Sequence, residues 1–175
     1  VTDYSFTRQS RRRVPGYTMP GMVGPAPPRV AAVVDTSGSM TREELEQCLG
    51  DLIGLSRAVA GGSATLSVVM CDATVHSVTQ VRSPRQVGNL VVRGGGGTDM
   101  GAGLTACAAL HPRPEVVVVL TDGETPWPDQ PPPGLGSARV VALLTMASSV
   151  DYVPDWMTAI VIDRGHLPAS GRTSR

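Results

Sequence analysis

Between residues 30 and 44 the chain reads VAAVVDTSGSMTREE, and this run points to an α/β fold. Five apolar residues, 30–34, stop at Asp35, as a strand buried on both faces of a parallel sheet does. Thr41-Arg42-Glu43-Glu44 is a capping box, in which the Thr hydroxyl and the Glu carboxylate satisfy each other's free backbone N–H groups at a helix start. Leu45, Cys48, Leu49, Leu52, Ile53 and Val59 follow at helical spacing, and Gly61-Gly62 stops the helix. Gly50 and Gly54 lie one turn apart and weaken it, which implies close packing there.

Reading onward, a second strand runs from about Ala64 to Cys71. The short Asp72-Ala73 turn leads into residues 75–81, so this third strand pairs antiparallel, at an edge. Ser83-Pro84 opens a short helix with Pro at its first position. Glycines 94–97 form a loop, and Asp99 begins a helix through Leu104, Cys107 and Leu110. Residues 115–120 are nearly all valine and read as a central strand; 140–144 and 158–162 are two more. Strands alternating with helices predict a Rossmann-like, doubly wound, mostly parallel sheet of about six strands with one antiparallel edge strand. Residues 122–139 are Pro-rich loop, and 146–157 hold at most one helical turn. The cover over the last two strands is therefore thin, and they are expected to lean on the N-terminal arm or on an absent domain.

The whole chain has 175 residues, of which 41% are hydrophobic and 17% charged, enough for one domain with a buried core and too apolar for disorder throughout. Net charge is zero, which offers no case for nucleic acid. The balance hides an asymmetry: residues 1–29 sum to +4 and the remainder to −4, and every basic side chain is Arg. Cys48, Cys71 and Cys107 are too scattered for a disulfide framework or a zinc site and fit a reducing cytosol. No apolar run reaches the roughly 18 residues that span a bilayer, and no signal peptide is recognisable. A cytoplasmic protein is expected, and the opening Val1 reads as part of a longer chain. Residues 1–28 form a basic, Pro/Gly-rich arm, 29–163 the α/β domain and 164–175 a tail. Tyr4, Phe6 and Tyr17 are three of the six aromatics, so the arm is expected to pack on this domain or an upstream part.

Three polar clusters fall at strand ends or before a helix: Asp35-Thr36-Ser37-Gly38-Ser39, Gly97-Thr98-Asp99 and Thr121-Asp122-Gly123-Glu124. In an open parallel sheet the carboxyl ends share one edge, where ligands bind. Asp35, Ser37, Ser39, Thr98 and Asp122 bring only oxygens, two carboxylates and three hydroxyls. A hard cation suits that set: Mg²⁺ or Mn²⁺, with Ca²⁺ less suited. Asp99 reads either as an outer carboxylate or as a helix N-cap, Asp72 as a tight-turn residue, and Glu124 as an orienting or a solvated side chain. His76, His111 and His166 are dispersed with no His-Glu-x-x-His, the glycine loop lacks a phosphate-binding Lys, and Ser37 has no evident His base. No catalytic residue is recognisable, so this segment is read as a non-enzyme.

Asp35-x-Ser37-x-Ser39, Thr98 and Asp122, in that order and strand placement, resemble the metal-ion-dependent adhesion site (MIDAS) of von Willebrand factor A (VWA) domains over roughly residues 29–163. The resemblance implies a metal held by the two serines and the threonine, with the aspartates binding directly or through water. It also implies a partner protein that presents an acidic side chain. Tyr4-Ser5-Phe6 with the Arg run, residues 33–40, residues 94–100 and Thr121-Asp122-Gly123-Glu124-Thr125-Pro126-Trp127-Pro128 further resemble bacterial VWA-like domains that follow a metallopeptidase-like part. Such proteins are often associated with MoxR-type AAA+ ATPases, which implies an adaptor role. The alternatives are a Mg²⁺-dependent phosphohydrolase attacking through Asp35, although the second acid such enzymes want two residues on is Ser37 here, or a structural domain supporting the upstream part.

Overall fold

A computed structural model describes residues 3–10, 14–23, 28–59, 65–92, 94–145 and 147–162. The Arg11-Arg12-Arg13 run, the Gly61-Gly62 helix stop, the strand start at Ala64 and the tail with His166 lie outside the described residues. In chain order the elements are strands β1 (Asp3–Gln9), β2 (Pro20–Val23) and β3 (Val30–Asp35); helix α1 (Arg42–Val59); strands β4 (Leu66–Cys71) and β5 (Val75–Val81); helices α2 (Pro84–Val87) and α3 (Met100–Ala108); and strands β6 (Val116–Thr121), β7 (Arg139–Leu144) and β8 (Thr158–Val161), with a 3₁₀ turn at Ala147–Tyr152. β3 to β8 form one sheet in the order β5-β4-β3-β6-β7-β8, parallel except for β5 against β4. The predicted mixed α/β sheet is what forms.

The apolar run of β3 is central because both its faces are covered. Ala32 and Val34 face α1 through Cys48, Leu52 and Val59. Ala31 and Val33 face α3 through Met100, Leu104 and Cys107. The capping box is made as read: Thr41 N–H and Oγ1 both donate to Glu44 Oε2, and Glu44 N–H donates to Thr41 Oγ1. The other Glu44 oxygen accepts from Thr145 Oγ1 at 2.9 Å, which ties α1 to the end of β7. No close packing accounts for Gly50 and Gly54, since a Cβ on either would meet nothing within 4 Å.

The connections from β3 and β6 run to opposite sides of the sheet. The chain leaves β3 for α1 and β4, returns over β3 through α3 to β6, then proceeds to β7 and β8. Beyond the carboxyl ends of β3 and β6 the loops part, and such a switch point leaves a crevice.

Cover over β6 and β7 on the α3 face is irregular. Leu135, Trp127, Val153, Trp156 and Met157 pack there from loops and from the chain that follows the 3₁₀ turn. None of the arm's described residues is among that cover. β1 and β2 make a separate antiparallel hairpin, and Tyr4, Phe6 and Tyr17 are 68%, 72% and 75% exposed. Among the described residues no helix is long and apolar enough to cross a membrane.

Candidate functional site

Asp35 is the last residue of β3 and is fully buried. Its Oδ1 accepts the Ser37 N–H at 2.9 Å, and this bond curls the chain so that Ser37 and Ser39 fall on one side of the turn. The two serine hydroxyls are 3.0 Å apart. Neighbouring ligands in an octahedron with metal–oxygen bonds of 2.0–2.1 Å are separated by about 3 Å, so this spacing suits a Mg²⁺-sized ion.

Thr121 supplies the link that sequence reading missed. The β3–β6 register pairs Val34 with Leu120, which puts Thr121 beside Asp35. Thr121 Oγ1 donates to Asp35 Oδ2 at 2.6 Å, accepts the Gly123 N–H at 3.0 Å and lies 3.4 Å from Asp122 Oδ1. Asp35 and Asp122 are therefore neighbours across one hydroxyl. Asp122 is buried too, and its Oδ1 accepts the Glu124 N–H at 2.9 Å. The Glu124 side chain is exposed, so it is its backbone that orients the aspartate.

The glycine loop is brought to this edge by backbone contacts. Gly95 N–H donates to Thr36 O at 2.9 Å, and Gly38 N–H donates to Gly96 O at 3.1 Å. A Cβ on Gly94 would collide with the Thr36 carbonyl, and one on Gly96 would sit 2.9 Å from Asp72 Oδ2. These glycines are a docking surface, more than a flexible span.

Asp72 holds the loop from its other side. Its Oδ1 accepts the Thr74 N–H, as a turn residue should. Its Oδ2 accepts the Gly96 N–H at 3.2 Å and lies 2.8 Å from His76 Nε2, while its carbonyl accepts the Asp99 N–H. Thr98 is thereby fixed between two pinned residues, half-buried, although its side chain is not hydrogen-bonded to the other four predicted ligands. Asp99 is the N-cap of α3, accepting from Ala102 N–H at 3.3 Å.

Burial pushes the Asp35 carboxyl above the usual carboxylate range, against the opposing effect of the Thr121 and Ser37 hydrogen bonds, and Asp122 adds repulsion. Burial also opposes ionisation of Asp72, but hydrogen bonds from His76, Thr74 and Gly96 outweigh it and its carboxyl lies below the usual range. Cys48, Cys71 and Cys107 are buried, and burial pushes their thiols up to about 12, about 11 and about 12, so they behave as small apolar groups. Among the described residues no three His, Cys, Asp or Glu side chains gather as a cation site. What gathers is two carboxylates with hydroxyls. A buried carboxylate held only by neutral donors, beside a second one, is a donor set that fits a hard divalent cation.

The six-stranded, mostly parallel α/β sheet is that of a VWA-like domain. A family model described as "VWA-like domain (DUF2201)" matches residues 30–163, and the chain belongs to that family. An uncharacterized protein of Thermotoga maritima is 38% identical over 110 residues, covering 63% of this chain and 26% of that protein; the chain thus spans about a quarter of that relative. Among solved structures, proximal thread matrix protein 1 from the mussel byssus aligns with TM-score 0.54 and 12% identity, over 77% of this chain and 43% of that one. An aerotolerance-related membrane protein from Bacteroides fragilis aligns with TM-score 0.46 and 16% identity, over 66% of each chain.

Proposed function

We propose that this is a metal-dependent protein-binding module. Asp35, Ser37, Ser39, Thr98 and Asp122 hold Mg²⁺ or Mn²⁺, and a partner protein presents an Asp or Glu there. The observation that carries the reading is Asp35, a fully buried carboxylate whose hydrogen-bond donors are neutral and whose neighbour is another carboxylate. A divalent cation bound there would supply the missing positive charge and exchangeable positions for an outside carboxylate. The chain's own residues do the positioning. Thr121 Oγ1 and Ser37 N–H fix the Asp35 carboxylate, the turn aligns the serine hydroxyls, and the bonds from Gly38 and Gly95 hold the Thr98 loop against it. Two carboxylates balance a divalent charge without excess, so an incoming acid is not repelled. Partner choice then rests on the loops around the edge, Trp127 among them.

Against Asp35 as a phosphoryl acceptor, Ser37 stands where such chemistry wants a second acid. This segment works by binding and not by catalysis. By its resemblance to MoxR-associated domains, its role is that of an adaptor for a MoxR-type AAA+ ATPase. Calorimetry with Mg²⁺ and Mn²⁺ tests the site: Asp35→Ala is expected to weaken binding most, and equal affinity for parent and variant would reject it. Affinity capture from native lysate with Mg²⁺ against EDTA tests the mechanism, since binding that survives both chelation and Asp35→Ala rules out a metal-bridged contact.

A further inference from the structure

The turn after β3 is gripped on one side by main-chain bonds. Thr36 N–H donates to Cys71 O at 2.9 Å, and Gly38 N–H donates to Gly96 O at 3.1 Å. Both grips fall on the first half of the turn, toward β4 and the glycine loop. Ser39 lies beyond them, beside Met40, which is buried in the α1-side core. What holds this second half comes from the opposite direction, from the chain that follows β7.

Thr145 is the first residue past β7 and is buried. Its N–H donates to Thr121 O at 3.1 Å, and its Oγ1 donates to Glu44 Oε1 at 2.9 Å. Thr121 is the residue whose hydroxyl holds Asp35. Glu44 is the residue whose other oxygen holds Thr41, two residues after Ser39. Contacts therefore run from Asp35 through Thr121, Thr145 and Glu44 to Thr41, and the turn itself closes the ring. The capping box does not account for all of this. It uses one carboxylate oxygen of Glu44, yet the side chain is 6% exposed and its second oxygen serves a residue 101 positions away. Burying a carboxylate is costly unless its oxygens are bonded, so a solvated Glu would cap α1 more cheaply. What burial adds is the tie to β7.

The same segment also reaches the second acidic loop. Gly123, next to Asp122, has a φ of +85°, and a Cβ there would sit 2.5 Å from Ser149 Cβ in the 3₁₀ turn. Thr145 thus backs the turn that carries Ser37 and Ser39, while the buried Ser149 backs the loop that carries Asp122.

We propose that Thr145, acting through Glu44, is a positioning residue for the cation site, and that with Ser149 it sets the spacing between the serine turn and the Asp122 loop. The inference rests on the metal reading of Asp35, Ser37, Ser39, Thr98 and Asp122. Thr145, Glu44 and Ser149 are not among those ligands; each holds a neighbour of one. Spacing matters to an ion in proportion to how strict its coordination is. Mg²⁺ demands short, near-octahedral oxygen coordination, whereas Ca²⁺ accepts longer and less regular sets. A loosened turn therefore costs Mg²⁺ binding more than Ca²⁺ binding.

Calorimetric titration of the parent and of Thr145→Val, Thr145→Cys and Thr145→Ser, with Mg²⁺ and then with Ca²⁺, tests this. Val keeps the shape and removes the donor, Cys keeps a weak donor, and Ser keeps the hydroxyl. Thr145→Val is expected to weaken Mg²⁺ binding ~10–100-fold, as residues that orient ligands do, and Ca²⁺ binding by less, so that the Mg²⁺/Ca²⁺ affinity ratio falls. Thr145→Cys is expected to fall between, which keeps the series readable where Val impairs folding, and Thr145→Ser to restore affinity and ratio together. A role in stability alone would lower both affinities in the same proportion. An unchanged ratio in Thr145→Val and Thr145→Cys, or a Thr145→Ser variant no better than Thr145→Val, overturns the positioning role and leaves the metal site standing. A parent that binds neither ion overturns both.

Discussion

Asp35 and Asp72 follow one another along the same edge of the sheet, at the ends of adjacent parallel strands, and the fold treats their charges in opposite ways. Asp72 receives two backbone N–H groups and an imidazole, and its carboxyl sits low. Asp35 receives one N–H and one hydroxyl, faces Asp122, and its carboxyl sits high. Both are shielded from solvent, but Asp35 lies deeper among protein atoms and beside a second carboxylate, so depth, repulsion and donors together separate them. A carboxylate compensated from within fixes loops; one left uncompensated is available to a cation. The loop after β4 is thus a structural clamp, and the loop after β3 is the turn proposed to hold a cation.

The largest expected effect breaks that comparison at Asp35. Asp35→Asn is expected to lower Mg²⁺ affinity by more than the ~10–100-fold typical of residues that only orient ligands. Metal-free stability should not fall, because Thr121 Oγ1 can accept from the new amide and the buried charge is gone. Calorimetry together with urea unfolding measures both. A variant that binds Mg²⁺ like the parent removes the site, and one that unfolds more easily without metal removes the claim that Asp35 is uncompensated.

Asp72→Asn is expected to give the reverse pattern. The Thr74 N–H keeps its acceptor, but an amide nitrogen then faces the Gly96 N–H and His76. A buried donor left against donors costs about 1–3 kcal/mol. Mg²⁺ binding should persist with reduced affinity, since the loop carrying Thr98 loosens while the charged ligands stay. Loss of binding as complete as in Asp35→Asn would show that the clamp is part of the site itself.

How far the sequence announced this contrast depended on whether a signal was local. The strand, capping box and helix of residues 30–59 were readable because their apolar periods and cap lie within a few residues of one another. The edge strand β5 followed from a turn too short for a crossover. Thr121 was passed over as part of a turn, because its importance depends on the β3–β6 register across 86 residues. Asp72 was read as a turn residue, which it is, but its hold on Gly96 spans 24 residues and shows in no period. The cover over β6 and β7 comes from Trp127, Leu135 and Trp156 in aperiodic loops, so the sequence pattern showed a gap where the fold has packing.

Acidity separates the two aspartates without mutating the loops. Between the ordinary carboxylate pKa and the raised native value of Asp35, the folded protein keeps a proton that the unfolded chain has released. Metal-free stability therefore falls as pH rises through that window. Asp72 has the opposite sign: its contribution is present above the ordinary pKa and is lost as pH falls through its lowered native value. Burial also raises Asp51, which contributes to the first slope in every variant. The reading is therefore the difference between parent and Asp35→Asn in urea midpoints against pH. Parallel curves would refute the assignment of that slope to Asp35.

The smallest expected effect tests whether pairing without burial can do what Asp72 does. Glu115, just before β6, meets Arg29, just before β3, by a 2.6 Å contact between Oε1 and Nη2, and its Oε2 accepts the Arg29 N–H at 3.2 Å. The geometry is at least as close as that around Asp72, and the pair joins the same two central strands that carry Asp35 and Asp122 at their other ends. Both side chains are half exposed, however, so water screens the pair and holding two long side chains in place has an entropic cost. Glu115→Gln is therefore expected to lower stability by at most about 1 kcal/mol, an effect that shrinks further in salt, and to leave Mg²⁺ affinity unchanged. Urea unfolding in low and high salt, with calorimetry on the same samples, measures all three. A loss as large as that of Asp72→Asn, or one indifferent to salt, would mean that donor count and not burial sets the worth of a carboxylate in this fold.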